Sequence, residues 1–123
     1  MIYYTRKLTP EIEELLQKTI DETPACTETI ETIKRDIETE QAMLFVLDDQ
    51  AAFMCHFVPA ECLYLNVSLL GGRENTMHQW KDELLDFIKS ITKASNSKLL
   101  IITREGWKKI YPELKQIGAV YTL

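Results

Sequence analysis

The segment Gly71-Gly72-Arg73-Glu74-Asn75-Thr76, just ahead of an amphipathic run that begins at Met77, has the residue types best suited to chemistry. Glycines let a backbone approach a ligand closely and adopt φ values that other residues avoid. Amides at the start of a helix lack partners inside it, and the helix dipole adds positive potential there. The combination makes an anion site, and Arg73 brings a cation suited to a phosphate. The same residues also read as structure alone, with Gly71 and Gly72 turning strand into helix, Asn75 capping it and Arg73 in water. Cys26, Cys55 and Cys62 are an odd set without CxxC spacing, and His56 and His78 lack ligand-spaced neighbours. No metal site follows, and a reducing, cytoplasmic setting is expected.

These residues are positioned by a regular succession of elements. Residues 1–6, MIYYTR, read as a short strand dense in Ile and Tyr. Thr9-Pro10-Glu11 supplies an N-cap, a first-turn proline and a first-turn acid. Ile12, Leu15, Leu16 and Ile20 then recur at helical spacing until Pro24. A second helix is expected from Thr27 or Thr29 to Glu40, an outer helix whose only apolar stripe is Ile30, Ile33 and Ile37. From residue 42 the period changes. Residues 42–47, 51–58 and 62–70 read as three strands, joined by the turns Asp48-Asp49-Gln50 and Pro59-Ala60-Glu61. Alternation puts Phe53, Cys55 and Phe57 opposite Met54 and His56 in the second of these. In the third it puts Leu63, Leu65, Val67 and Leu69 opposite Tyr64, Asn66 and Ser68.

Met77, Trp80, Leu84, Phe87, Ile88 and Ile91 hold helical spacing down to Lys93. The loop Ser95-Asn96-Ser97 and a strand over 98–103 follow. A last helix starts at Gly106, carries Trp107, Ile110, Leu114 and Ile117, and stops at Gly118, before a strand fragment at 120–123. Trp80 and Trp107 fall on apolar stripes and read as core. The whole is an α/β (α+β) single domain over 1–123: an antiparallel meander, then β-α-β-α-β, in a mixed sheet with helices on both faces. The later crossovers favour parallel pairing, and an unpaired 120–123 strand would invite pairing into a homo-oligomer.

At 123 residues the chain has length for one core, and its net charge is −5. Residues 21–40 contain seven acids and two bases, and the rest balances at twelve of each. A nucleic-acid binder built on a basic face is excluded by that balance. The apolar runs are far shorter than a membrane span, and residues 1–11 show no signal peptide.

This order, with a glycine-bearing loop between the last meander strand and a long helix, resembles the GCN5-related N-acetyltransferase (GNAT) superfamily. Two segments carry the resemblance: Val67-Ser-Leu-Leu-Gly-Gly-Arg-Glu-Asn-Thr-Met77, where the family has its acyl-CoA pyrophosphate loop, and Leu114-Lys-Gln-Ile-Gly-Ala-Val120, similar to its closing Tyr-x-x-x-Gly-Phe signature. The ending also resembles small phage-encoded members of the superfamily, including an internal virion protein, which would make the protein virion-associated. The resemblance implies acetyl-CoA as cofactor and an amine as acceptor. Leu65, Val67 and Leu69 would hold the pantetheine arm, and Gly71, Gly72, Arg73, Asn75 and Thr76 the pyrophosphate. Glu61 or His56 would serve as general base and Tyr111 as acid, while Asp48 and Asp49 form only a turn. The acids of 21–40 would face a cationic amine or a basic protein partner. The pattern departs from the family at Met77, which is bulky where the family is small, and at Leu114, which replaces its tyrosine. These departures favour the alternative, a catalytically degenerate member with a structural, assembly or partner-binding role.

Overall fold

A computed structural model describes residues 1–22, 28–102, 115–117 and 120–122. The elements in chain order are β1 (Ile2–Thr5), α1 (Pro10–Glu22), α2 (Ile30–Glu38), β2 (Met43–Leu47), β3 (Ala51–Pro59), β4 (Leu63–Gly72), α3 (Met77–Ser95), β5 (Lys98–Ile102), β6 (Lys115–Ile117) and β7 (Val120–Thr122). The strands form one sheet in the order β1-β2-β3-β4-β5-β7-β6. From β1 to β4 the pairing is antiparallel, as the short turns demand for β2–β3 and β3–β4, and α3 is the crossover that makes β4 and β5 parallel.

Local chemistry explains the helix ends. The Ile12 N–H donates to Thr9 Oγ1 at 3.3 Å. Thr29 and Thr32 exchange side-chain and backbone bonds in a reciprocal cap of α2. Asn96 closes α3 in the left-handed conformation, φ 52°, which a short polar side chain tolerates. Asp48 and Asp49 use the same tolerance, at φ 49° and 57°, to turn β2 into β3.

Helices cover both faces. Ile12 and Leu16 of α1 and Ile33 and Ile37 of α2 pack on Leu44, Val46, Ala52, Met54 and Leu69. On the other face, Trp80, Leu84 and Ile88 of α3 pack on Leu47, Phe53, Cys55, Leu65 and Val67. Phe45 stacks on Phe53 with centroids 5.1 Å apart, and Phe87 meets Phe45 edge-on at 4.9 Å. Trp80 is a core residue as its spacing predicts.

Three expectations are corrected. Leu69 does not share a face with Leu65 and Val67. Met54 pairs with Leu69 while Cys55 pairs with Val67, so Ser68 is an extra residue on β4. Such a bulge shifts the two-residue period by one, and every residue after it changes face. Second, residues 115–117 are strand β6 and not the end of a helix; the rest of that predicted helix lies outside the described residues. Third, β7 is antiparallel to β5 and is paired on both sides, by β5 and β6. The intervening β6 supplies the reversal. The strand at 120–122 is therefore not a free edge, and its expected pairing with another chain loses that premise. Among the described residues, no helix is long and apolar enough to cross a membrane.

Candidate functional site

The bulge governs the centre of the sheet. β4 and β5 pair only at Tyr64–Lys98, Leu65–Leu99 and Asn66–Leu100. Beyond Asn66, β4 continues for six residues with no partner on its β5 side among the described residues, while β5 pairs onward with β7 at Ile101 and Ile102. A wedge opens between two neighbouring strands, with the backbone of Val67–Gly72 along one wall. Unpaired strand edges of this kind hydrogen-bond an extended ligand in place of a strand. Leu65 lies in the closed part, with its side chain fully buried.

Gly71 and Gly72 lie in β4 and not in the loop, and neither adopts the left-handed φ that favours glycine. Their smallness serves packing. A Cβ on Gly71 would overlap the Thr19 hydroxyl and stand 2.7 Å from the Leu15 carbonyl oxygen of α1. A Cβ on Gly72 would stand 2.9 Å from Cζ2 of Trp80 on α3. The two glycines thus let a helix close down on each face of the same strand end.

The loop after them is tied in place. The Arg73 N–H donates to the Gln50 carbonyl at 2.8 Å, and Arg73 Nε donates to the Asp49 carbonyl at 3.2 Å. Thr76, not Asn75, is the N-cap residue of α3, and its side chain makes no capping bond. Its hydroxyl donates to the Arg73 carbonyl at 2.7 Å and accepts from Trp80 Nε1 at 3.1 Å. Asn75 is left-handed, φ 61°. The backbone N–H groups of Glu74, Asn75, Met77 and His78 have no hydrogen-bond partner among the described residues. Free donors at the start of a 19-residue helix suit an anion. Exposed Arg73 lines a separate cavity of about 250 Å³ with Tyr3, Thr9, Glu11, Ile12, Leu15, Val46 and Asp49. Its side chain is thus anchored at the β2–β3 turn, beside α1.

The acid–base candidates are spread out. His56 is half-buried and pairs directly with Asn66 across β3 and β4, on the face of α1 and α2. Glu61 is exposed in the β3–β4 turn, six residues before Val67, or roughly 20 Å at strand rise. Tyr111 lies outside the described residues. Tyr64 shares the face of Asn66, and its hydrogen bond with Cys62 holds its hydroxyl above the usual phenol range, with the Cys62 charge, burial and Glu61 adding to this. It stays protonated at neutral pH. Burial pushes the Cys55 thiol up to about 12, which leaves it an inert core group. Among the described residues, no cluster of His, Cys, Asp and Glu could hold a metal ion.

Sequence reasoning did not single out Asn66 or Ser68. A polar residue between Leu65 and Val67 was the available signal, but alternation alone accounts for it as an outward position.

No family model and no curated protein matches the chain. Solved structures do. An IAA acetyltransferase from Bacillus cereus ATCC 14579 superposes with TM-score 0.68 at 11% identity, covering 96% of this chain and 78% of its own. A GNAT family acetyltransferase from Elizabethkingia anophelis with acetyl-CoA bound gives 0.57 at 15%, covering 99% and 91%. The AtaT–AtaR complex bound to DNA gives 0.70 at 9%, covering 100% and 93%. The chain has the fold of the GNAT acetyltransferases. The likeness to phage virion proteins read from the closing segment gains no support from these structures.

Proposed function

We propose that this protein is an acyl-CoA-dependent N-acetyltransferase acting on an amine. The observation that carries the reading is the wedge: β4 parts from β5 at Asn66, and its backbone beyond that point, without a partner on that side among the described residues, leads to an uncapped helix start. That path suits an extended, amide-bearing arm ending in phosphates, and the same fold holds acetyl-CoA in the Elizabethkingia anophelis enzyme.

Acetyl-CoA, when bound, supplies the thioester: the amine nitrogen bonds to the acetyl carbon, the carbon–sulfur bond breaks and the thiolate departs. The backbone of Val67 and Leu69 would hold the pantetheine arm, and the amides of Glu74, Asn75, Met77 and His78 the pyrophosphate. Gly71 and Gly72 serve by keeping α1 and α3 close to the strand end. His56 is the better-placed base, since it stands across from the last paired residue while Glu61 lies at the far turn. It would take the amine proton directly or through one water. Tyr64 adds a protonated hydroxyl on the same face. Asp21, Glu22, Glu31, Glu38 and Glu40 are exposed and would draw a cationic acceptor or a basic partner.

A second reading, a scaffold that binds a partner and transfers nothing, is favoured by the glycine pair, whose packing role explains it without a ligand. Titration with acetyl-CoA separates the two. A ligand at 100 times its dissociation constant adds about 2.7 kcal/mol to stability, so a clear rise in Tm supports the enzyme. An unchanged Tm at millimolar acetyl-CoA overturns it in favour of the scaffold.

A further inference from the structure

Asn66 Oδ1 is sealed from solvent and has no hydrogen-bond partner, alone among the buried side-chain polar atoms of the described residues. The residue is 8% exposed. Folded proteins satisfy nearly all such groups, because a buried carbonyl stripped of water and left unpaired is costly. An exception that persists needs a reason, and its position supplies one. Leu65 and Val67 on either side belong to the α3 core, so Asn66 faces α1 and α2. It is the last residue of β4 to pair with β5, two positions before the bulge at Ser68. His56 is its direct partner on β3, with Cβ atoms about 5 Å apart in such pairs. An acceptor without a donor and a titratable imidazole thus stand side by side where the sheet opens.

We infer that Asn66 is the residue that recognises the acceptor: Oδ1, sealed in the free protein, takes a hydrogen bond from the N–H of a primary or secondary amine that enters from the wedge and displaces what covers it, holding the amine nitrogen beside His56. The inference rests on the acetyl-transfer reading and names the group that would orient its nucleophile. A neutral carbonyl suits the task because it accepts from an amine without fixing the amine's proton in a salt bridge. Asn66 contributes direction, and His56 receives the proton. A carboxylate at the same place would hold the amine in its unreactive ammonium form.

The test uses the whole chain and its Asn66→Leu variant, which keeps the number and branching of the side-chain heavy atoms and removes both polar atoms. In the variant the Michaelis constant for n-butylamine rises at least tenfold, while acetyl-CoA affinity by calorimetry stays within twofold. Its Tm rises by about 4 °C, because the unpaired oxygen is gone. In wild-type protein the Asn66 side-chain amide resonances shift on titration with n-butylamine alone, and Asn66→Asp, which keeps the acceptor, preserves binding if the leucine variant does not fold. An unchanged Michaelis constant in Asn66→Leu overturns the inference. So does a tenfold loss of acetyl-CoA affinity, which would make the pantetheine amide the missing donor. If wild-type protein binds no acetyl-CoA, the acetyl-transfer reading fails by itself. The amine titration then decides alone: shifted Asn66 resonances support an amine site, and unshifted ones overturn it.

Discussion

Gly71 of β4 lies beneath Thr19 of α1 with no space for a side chain, and the Leu15 carbonyl stands 2.7 Å from where a Cβ would sit. The helix rests on the strand backbone itself. Thr19 is buried there, its hydroxyl donating to the Leu15 carbonyl at 3.0 Å.

Gly71→Ala is therefore expected to lower stability by about 1–3 kcal/mol, the usual range for overpacking a close contact. Adding Thr19→Ala should not restore it, because the Leu15 carbonyl is backbone and cannot be trimmed. Thermal unfolding of the single and double variants measures this, and a wild-type Tm in either would show that α1 can lift without cost.

Deleting Ser68 should abolish cooperative folding, whereas Ser68→Ala should cost only about 1 kcal/mol. Alanine loses one bond, from Ser68 Oγ to the Met54 carbonyl at 3.2 Å. Deletion removes the bulge and sends Leu69, Leu70, Gly71 and Gly72 to the wrong faces. The glycines would then no longer face the helices that need them. Far- and near-ultraviolet circular dichroism of the two variants distinguishes a local from a global effect.

Trp80→Phe should weaken acetyl-CoA binding several-fold and lower stability by about 1 kcal/mol. The indole N–H is one link of a chain, Trp80 to Thr76 to the Arg73 carbonyl, that shapes the turn leading into α3. Phenylalanine keeps most of the buried area and removes that link. Calorimetric titration reads the affinity, and an unaltered dissociation constant would separate the turn from the ligand.

Cys55 should impose a pH dependence at alkaline pH. Its thiol ionises near 9 when unfolded and is pushed up to about 12 by burial. Between those values only the unfolded chain gives up the proton, so stability falls as pH rises from 9 towards 12 and is unaffected below 9. The slope approaches about 1.4 kcal/mol per pH unit. Denaturant midpoints of wild type and Cys55→Ala at pH 8 and pH 10 isolate it, because every other titrating group is common to both. At pH 8 a thiol reagent should modify half-buried Cys62 and spare Cys55 until the protein unfolds.

Much of the architecture is legible in the residues because it depends on neighbours along the chain. The period of Ile12, Leu15, Leu16 and Ile20, the proline at 10 and the change of period at residue 42 each name an element without reference to any other. The short turns at 48–50 and 60–62 then force the antiparallel meander, and α3 forces the parallel crossover. The closing segment was less legible: the apolar spacing of Ile110, Leu114 and Ile117 fits a helix, yet Ile117 lies in β6, paired with Val120. Three residues of strand carry too little pattern to compete with a helical period that is only local.

The candidate site is legible in the sequence as a region and not as an arrangement. The stretch from Val67 to Met77 drew attention through its glycines, and the structure sets the free amides at the start of α3 within it. The purpose of Gly71 and Gly72 differs, however, since contact with Thr19 and Trp80 involves residues 52 positions upstream and eight downstream. Ser68 has no type that marks it as a bulge, and its effect exists only in the register of β4 against β3. Asn66 looked like an outward polar position. It is buried in the fold, and it is the last residue of β4 before β5 leaves it.

The sequence by itself determined the elements, their order, the two-faced sheet and the segment that precedes α3, because periodicity, turn length and capping are written in adjacent residues. Only the tertiary structure decided which residues face the opening. Burial, register and the parting of two strands depend on contacts between segments that no local pattern encodes.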